Sequence, residues 1–257
     1  MNEDGDVALT ECRLLVHPPG EGAWNMAVDE HLLGWTSDTG CCCWRFYQWA
    51  EPTLSFGYFQ QYVDRGTHVA SVGCPAVRRA SGGGAILHDK ELTYSLTVPA
   101  GHPLACRRQW TYEAVHQTLI AVLAEWGVQA DIYGVSRPGE TKSGDFLCFN
   151  RRSSGDVVVA DVKIAGSAQR RVAGAVLQHG SVLLRRSQAA PELAGLFETT
   201  GTAIEPADLM LAWQRRLADA LKFHWKDGQL SEPEEDHIAA IVTEKFGHSF
   251  WTEKRGR

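Results

Sequence analysis

No apolar run in this sequence approaches the roughly 20 residues that a membrane-spanning helix requires, and Met1 to Val7 is acidic where a secretory signal would be basic and then apolar. A cytoplasmic protein is expected. The seven cysteines lack the arrangement of a disulfide framework or a zinc site: the count is odd, and Cys41-Cys42-Cys43 runs without the two-residue gap that lets usual zinc sites wrap one ion. Surplus positive charge is also missing. The formal net charge is −6 and no long basic stripe offsets it, which argues against general nucleic-acid binding. Basic residues come instead in pairs, Arg78-Arg79, Arg107-Arg108, Arg151-Arg152, Arg170-Arg171 and Arg185-Arg186, each able to meet an acidic partner or to form a solvated edge. Internal repeats and flexible linkers are absent, and 257 residues suffice for one full hydrophobic core, so residues 1–257 are expected to form one domain.

What is present reads as mixed strands and helices. Met26, Ala27, Leu32 and Leu33 recur at helical spacing between Trp24 and Trp35, with Asn25 or the preceding glycine as the start. Strands are expected at Cys42 to Trp49, Thr53 to Gly57 and Leu92 to Val98. Ala76 to Arg79 enters Ser81-Gly82-Gly83-Gly84 and Ala85 to His88 leaves it, which reads as strand, tight turn, strand. Arg107 to Trp126 predicts a helix with Trp110, Val115, Leu119, Val122, Leu123 and Trp126 on one side and Gly127 as its stop. A short strand at Gln129 to Tyr133 and a polar loop from Val135 to Gly144 follow. Asp156 to Ala168 and Val172 to Leu184 predict paired strands. From Pro206 onward the pattern is helical, over Leu209 to Phe223 and Glu232 to Phe246, with Ser231 as an N-cap. Without a regular strand-helix alternation, these elements point to an α+β domain on a largely antiparallel mixed sheet flanked by helices.

Two segments carry chemistry. Three successive glycines, Gly82 to Gly84, let a ligand lie against main-chain N–H groups, and the flanking arginines and His88 add donors. The run lacks the Gly-Lys-Ser/Thr ending of a phosphate loop and the Gly-x-Gly-x-x-Gly spacing of dinucleotide sites, so a plain hairpin turn stays open. In Asp161-Val-Lys163-Ile-Ala-Gly-Ser-Ala-Gln169 a lysine lies within an apolar strand. Its ammonium is costly to bury without a partner, and facing a cleft it can bind an anion or lower a neighbour's pKa.

The run Arg-Arg-x-x-Gly-Gly-Gly-x-x-x-His-Asp at Arg78 to Asp89, with Lys-Ile-Ala-Gly-Ser-Ala-Gln at Lys163 to Gln169 and Leu-Gln-His-Gly-Ser at Leu177 to Ser181, resembles the biotin/lipoate protein ligase and octanoyltransferase family. Asn25-Met-Ala-Val-Asp-Glu30 resembles its opening helix, and the four segments run in order over nearly the whole chain. The resemblance implies the fold of the biotin protein ligases and class II synthetase catalytic domains. It gives a core at about 12–204 and a helical extension at about 205–257, which is short for the accessory domain that ATP-dependent lipoate ligases commonly carry. Leu147-Cys148-Phe149, fifteen positions ahead of Lys163, resembles the Cys-Phe site of the octanoyltransferases of bacilli, the LipM type. It implies that Cys148 carries the acyl group and Lys163 activates it. Substrate would then meet Arg79, Ser81, Gly82, Gly83, Gly84 and His88 on one side and Gly166, Ser167, Ala168 and His179 on the other. The chain departs from the family at Arg151 to Asp156, which is more basic and glycine-rich, and at Gly139 to Asp145, which is polar.

On this reading octanoyl passes from acyl carrier protein to Cys148 and then to a lysine of a lipoyl-domain protein such as glycine-cleavage H protein, with no cofactor or metal. A thiol with pKa of about 8.5 is mostly protonated at neutral pH, and an adjacent ammonium favours the thiolate. Backbone N–H groups around Gly166 to Ala168 are candidates for holding the oxyanion. Two alternatives remain: an ATP- and Mg-dependent lipoate ligase in which Lys163 contacts the acyl-adenylate, and a non-catalytic protein that binds an acyl chain or its carrier.

Overall fold

The computed structural model describes residues 9–106, 108–134 and 146–255. Arg107, the loop from Val135 to Gly144 and the polar run from Gly139 to Asp145 therefore lie outside the described residues, as does the acidic start.

The elements run β1 (Thr10–Val16), α1 (Gly22–Thr39), β2 (Cys42–Tyr47), β3 (Thr53–Phe56), β4 (Ala76–Arg78), β5 (Ile86–His88), β6 (Glu91–Val98), α2 (Pro103–Cys106), α3 (Arg108–Glu125), β7 (Asp131–Ile132), β8 (Val157–Val159), β9 (Val162–Val172), β10 (Ala175–Leu183), α4 (Leu196–Thr200), α5 (Pro206–Leu221), β11 (Phe223–Asp227), α6 (Glu232–Ile241) and α7 (Ser249–Lys254). Eight strands form one sheet in the order β11-β1-β2-β6-β10-β9-β8-β7. It is antiparallel from β2 to β7, and β1 runs parallel to both β2 and β11. The largely antiparallel mixed sheet expected from the sequence is thus present, with a parallel edge.

Both faces of the central strands are covered: every residue of β2, β6 and β10 is buried, polar ones included. On one face Trp44 stacks on Tyr94 at 5.1 Å, Trp213 of α5 meets both edge-on, and Val115, Leu119, Val122 and Leu123 of α3 complete that layer. Trp110, expected in the same stripe, is 46% exposed and does not join that layer. On the other face lies α1, four residues longer at its C-terminal end than its apolar spacing marks. Gly40 ends it in the left-handed region at φ 72°, its N–H bonded to Thr36 O. Ile238, Phe246 and Trp251 pack with α1 in that second layer. Among the described residues no helix is long and apolar enough to cross a membrane.

Four expectations need correction. Ala76–Arg78 and Ile86–His88 are not the two arms of a hairpin: β3 lies between them, parallel to β4 and antiparallel to β5. The Asp156 to Ala168 stretch is two strands, since Ala160 and Asp161 take φ of 46° and 65° and turn the chain between β8 and β9. Phe223, placed at a helix end by its spacing, begins β11, because Lys222 takes φ 57° and closes α5. The second tail helix does start at Ser231, whose N–H is bonded by Glu234 Oε2 at 2.9 Å, but α6 ends at Ile241 and a π turn carries the chain to Phe246.

Candidate active site

Leu147 and Phe149 are buried against Leu54, Phe56 and Leu87 of the small sheet, so Cys148 between them turns the other way and is half-buried. Its N–H donates to Ala85 O at 2.7 Å, which ties the segment to the end of the glycine run. Lys163 stands on β9 opposite Val158, beside a bulge at Val157/Val158. It is 5% exposed, and its Nζ lies 2.8 Å from Asp156 Oδ2, 3.7 Å from Cys148 Sγ and 5.0 Å from the centre of the Phe149 ring. The sulfur and the amine, fifteen positions apart, therefore meet.

Two glycines make that meeting possible. A Cβ on Gly166 would lie 2.6 Å from Lys163 Cε and 3.0 Å from Asp156 Oδ1, so only glycine leaves the lysine its place. A Cβ on Gly84 would lie 3.2 Å from Cys148 Cα and 2.5 Å from Arg151 Nη2, so the thiol segment and a guanidinium share one bare patch of backbone.

The arginines before the glycine run face inward, not toward a partner. Arg79 donates to Ser55 O and Oγ, Gly82 O and Gly84 O at 2.8–3.0 Å. Burial lowers its pKa from 12.5 to about 10, opposed by the nearby Cys148, and leaves it a cation that fixes the run's carbonyls. Arg78 likewise donates to Gly57 O, Tyr58 O, Gln60 O and Thr252 O. Gly57, which the sequence did not mark, is required too: its Cβ would fall 1.9 Å from Gly83 O.

The remaining expected residues are distributed less evenly. His179 joins Ser81 Oγ (2.5 Å) to Asp29 Oδ2 (2.9 Å). Burial alone would raise Asp29, but the bond from His179 and the Arg45 charge outweigh it and hold the carboxyl below its ordinary range. His88 points into the sheet, between Glu91 Oε1 (2.5 Å) and Ser55 Oγ (2.7 Å), and stacks on Trp49. With Arg79, Ala168 and His179 it lines a slot of about 20 Å³, and Met26 and His179 also line an adjoining pocket of about 300 Å³. Ser167 is turned away to His116 Nε2 at 3.0 Å. A larger cavity, about 930 Å³ beside Lys90, Arg185 and Arg186, includes none of the expected site residues. The sequence reading missed Asp156 and His116. Asp156 gave a faint signal as a lone carboxylate before three valines; His116 gave none, within an apolar helix.

The model of the lipoyl protein ligase A/B catalytic domain matches residues 21–199. The chain belongs to this family. An octanoyltransferase LipM of Geobacillus kaustophilus (strain HTA426) is 41% identical over 172 residues, 63% of this chain and 61% of the relative, so the match spans about three fifths of that relative's length. An octanoyltransferase LipM of Bacillus anthracis is 30% identical over 264 residues, 91% of this chain and 94% of the relative. Among solved structures, a bi-partite lipoate protein ligase of Thermoplasma acidophilum, described with its E2 lipoyl domain, superposes with a TM-score of 0.74 at 20% identity, covering 96% of this chain and 98% of that one. At that identity the likeness concerns the fold.

Proposed function

We propose that this family member is an octanoyltransferase of protein lipoylation, taking octanoyl from acyl carrier protein onto Cys148 and passing it to a lysine of a lipoyl-domain protein such as glycine-cleavage H protein. The reading is carried by the 3.7 Å approach of Cys148 Sγ and Lys163 Nζ in a chain whose relatives bear the octanoyltransferase name. An ammonium beside sulfur stabilises a thiolate, the form that attacks a carbonyl. Attack on the donor thioester forms the acyl-Cys148 bond and releases the carrier thiol. The acceptor amine then attacks, the amide forms, and Cys148 is released. Thioester to amide runs downhill, so no nucleotide is consumed. The Arg151 guanidinium, which shares the bare backbone of Gly84 with Cys148, is a donor for the oxyanion of both tetrahedral intermediates in this scheme, beside the backbone N–H groups around Gly166 to Ala168.

We assign the eight-carbon tail to the slot lined by Arg79, His88, Ala168 and His179, where burying it contributes about 5 kcal/mol at roughly 0.8 kcal/mol per methylene. At 20 Å³ the slot is smaller than the ~150 Å³ that a six-carbon ring fills, so entry requires Met26, flexible and shared with the 300 Å³ pocket, to move aside. A lipoyl domain as acceptor accords with the Thermoplasma ligase and its E2 domain.

Incubation with octanoyl-acyl carrier protein should leave a hydroxylamine-labile octanoyl adduct on Cys148, and Cys148→Ala should transfer nothing. Full transfer by that variant would eliminate the thioester route. Pyrophosphate release with lipoate, ATP and carrier would establish the ligase chemistry instead. An enzyme that forms no adduct and modifies no acceptor would be a binding protein.

A further inference from the structure

The scheme above leaves a buried carboxylate without a task. Asp156 is 5% exposed, and its Oδ2 accepts from Lys163 Nζ at 2.8 Å and from Ser153 N–H at 2.6 Å. Its backbone is held as well, the N–H by Ser153 O and the carbonyl by Tyr133 N–H. The ammonium it holds is the one 3.7 Å from Cys148 Sγ, and Gly166, bare of a side chain, gives that lysine the space it occupies. A nucleophile, a group that exchanges its proton and a third group that orients the second make a recurrent catalytic arrangement.

We infer that Asp156 is a positioning residue completing a Cys148–Lys163–Asp156 relay, in which it holds Lys163 as an ammonium aimed at the sulfur. The inference takes its purpose from the octanoyl-transfer reading. The reactive form in this relay pairs a Cys148 thiolate with a Lys163 ammonium, the thiol's proton having passed to Nζ, while Asp156 accepts a hydrogen bond and no proton. When the acyl–Cys148 bond forms, the donor's C–S bond breaks and the carrier thiolate takes a proton from Lys163. When the acceptor amine attacks, the C–N bond forms, Cys148 leaves as thiolate and the amine's proton returns to Lys163. Other charged or titratable groups facing the pair are His116 from α3, kept neutral near pH 7 because burial lowers its pKa, Arg79 beneath the glycine run and Arg151 at Gly84. All three stay in place in the variants below.

The test is the rate at which iodoacetamide labels the half-buried Cys148, followed by peptide mass spectrometry because Cys41 and Cys106 are exposed. Asp156→Asn should slow labelling at pH 7 by about tenfold or more and move its pH midpoint upward. The turnover of octanoyl transfer should fall in parallel with donor KM changed less than about twofold, and Asp156→Glu should restore part of both. Lys163→Met should slow labelling at least as much, and adding Asp156→Asn to it should slow labelling no further. Wild-type labelling by Asp156→Asn, or slowing that multiplies in the double variant, overturns the relay. Removing both partners of a buried pair burdens the fold less than removing one, so the single Lys163→Met and the double variant still decide the matter if Asp156→Asn does not fold. Labelling needs no octanoyl donor. Asp156-dependent labelling in a protein that transfers nothing would remove the octanoyl reading and leave the relay, whereas normal transfer with Asp156-independent labelling would do the reverse.

Discussion

Gly166 and Gly84 show how a site is set by side chains that are missing. Gly166→Ala places a methyl carbon 2.6 Å from Lys163 Cε, and the lysine is the group able to yield. We expect a stability loss of about 1–3 kcal/mol, as for other overpacked sites, with octanoyl transfer reduced far more than folding; urea melts beside steady-state rates measure the two. Gly84→Ala should displace Cys148 or Arg151 and slow acylation of the enzyme, read as slower appearance of the octanoyl adduct. Cys148 and Lys163 were legible in the sequence because short segments around each resemble a family. Asp156 was not, because a carboxylate seven positions ahead of the lysine reaches it only through the turn at Ala160 and Asp161, and neither residue is the glycine that usually announces such a turn. Ser167 lies inside the most telling segment, yet its hydroxyl is bonded to His116, a partner 51 positions away that local spacing does not reveal.

Elements were legible where local periodicity or composition decides them, as in α1, α3, α5, β6 and the pairing of β9 with β10, whose turn falls at Ala173 and Gly174 and not before Val172. They were not legible where a pairing partner comes from elsewhere in the chain. The glycine run reads as a hairpin because its two flanking strands are adjacent in sequence, but both prefer β3 as neighbour. β11 is five residues that pair only with β1, more than 200 positions earlier, and nothing local separates them from the preceding helix. The tail elements bear on the site directly: Trp251 Nε1 donates to Arg78 O at 3.0 Å, and Thr252 O accepts from Arg78 Nε at 2.9 Å. Trp251 is 8% exposed, so Trp251→Ala should cost about 3 kcal/mol, lower the Tm and loosen the glycine run. Faster hydrogen exchange at the Gly82–Gly84 amides is the local signature, and unchanged exchange there would show the contact to be structural only.

At the scale of the whole molecule, several histidines are held neutral by burial. His17 falls from 6.5 to about 4, through burial first and the Arg45 charge second, and its Nδ1 accepts from Arg45 Nε at 2.8 Å, a bond that protonation would break. His31, His88 and His116 are lowered as well, each mainly by burial. A group whose folded pKa is depressed lends stability above its unfolded pKa and loses it as pH falls. The histidine contribution to stability should therefore be flat above about pH 6.5 to 7 and decline as pH falls from 6.5 toward 4, with the urea midpoint reporting it. His17→Gln should flatten part of that decline.

The bonds from Trp251 and Thr252 reach Arg78 across 173 and 174 positions. During synthesis the strand that feeds the glycine run leaves the ribosome long before the residues that clamp it. Thr252 follows Lys163 by 89 positions, so at roughly 5–20 residues added per second the nascent chain holds its thiol and its lysine for about 5–20 seconds before it can fix the surface between them.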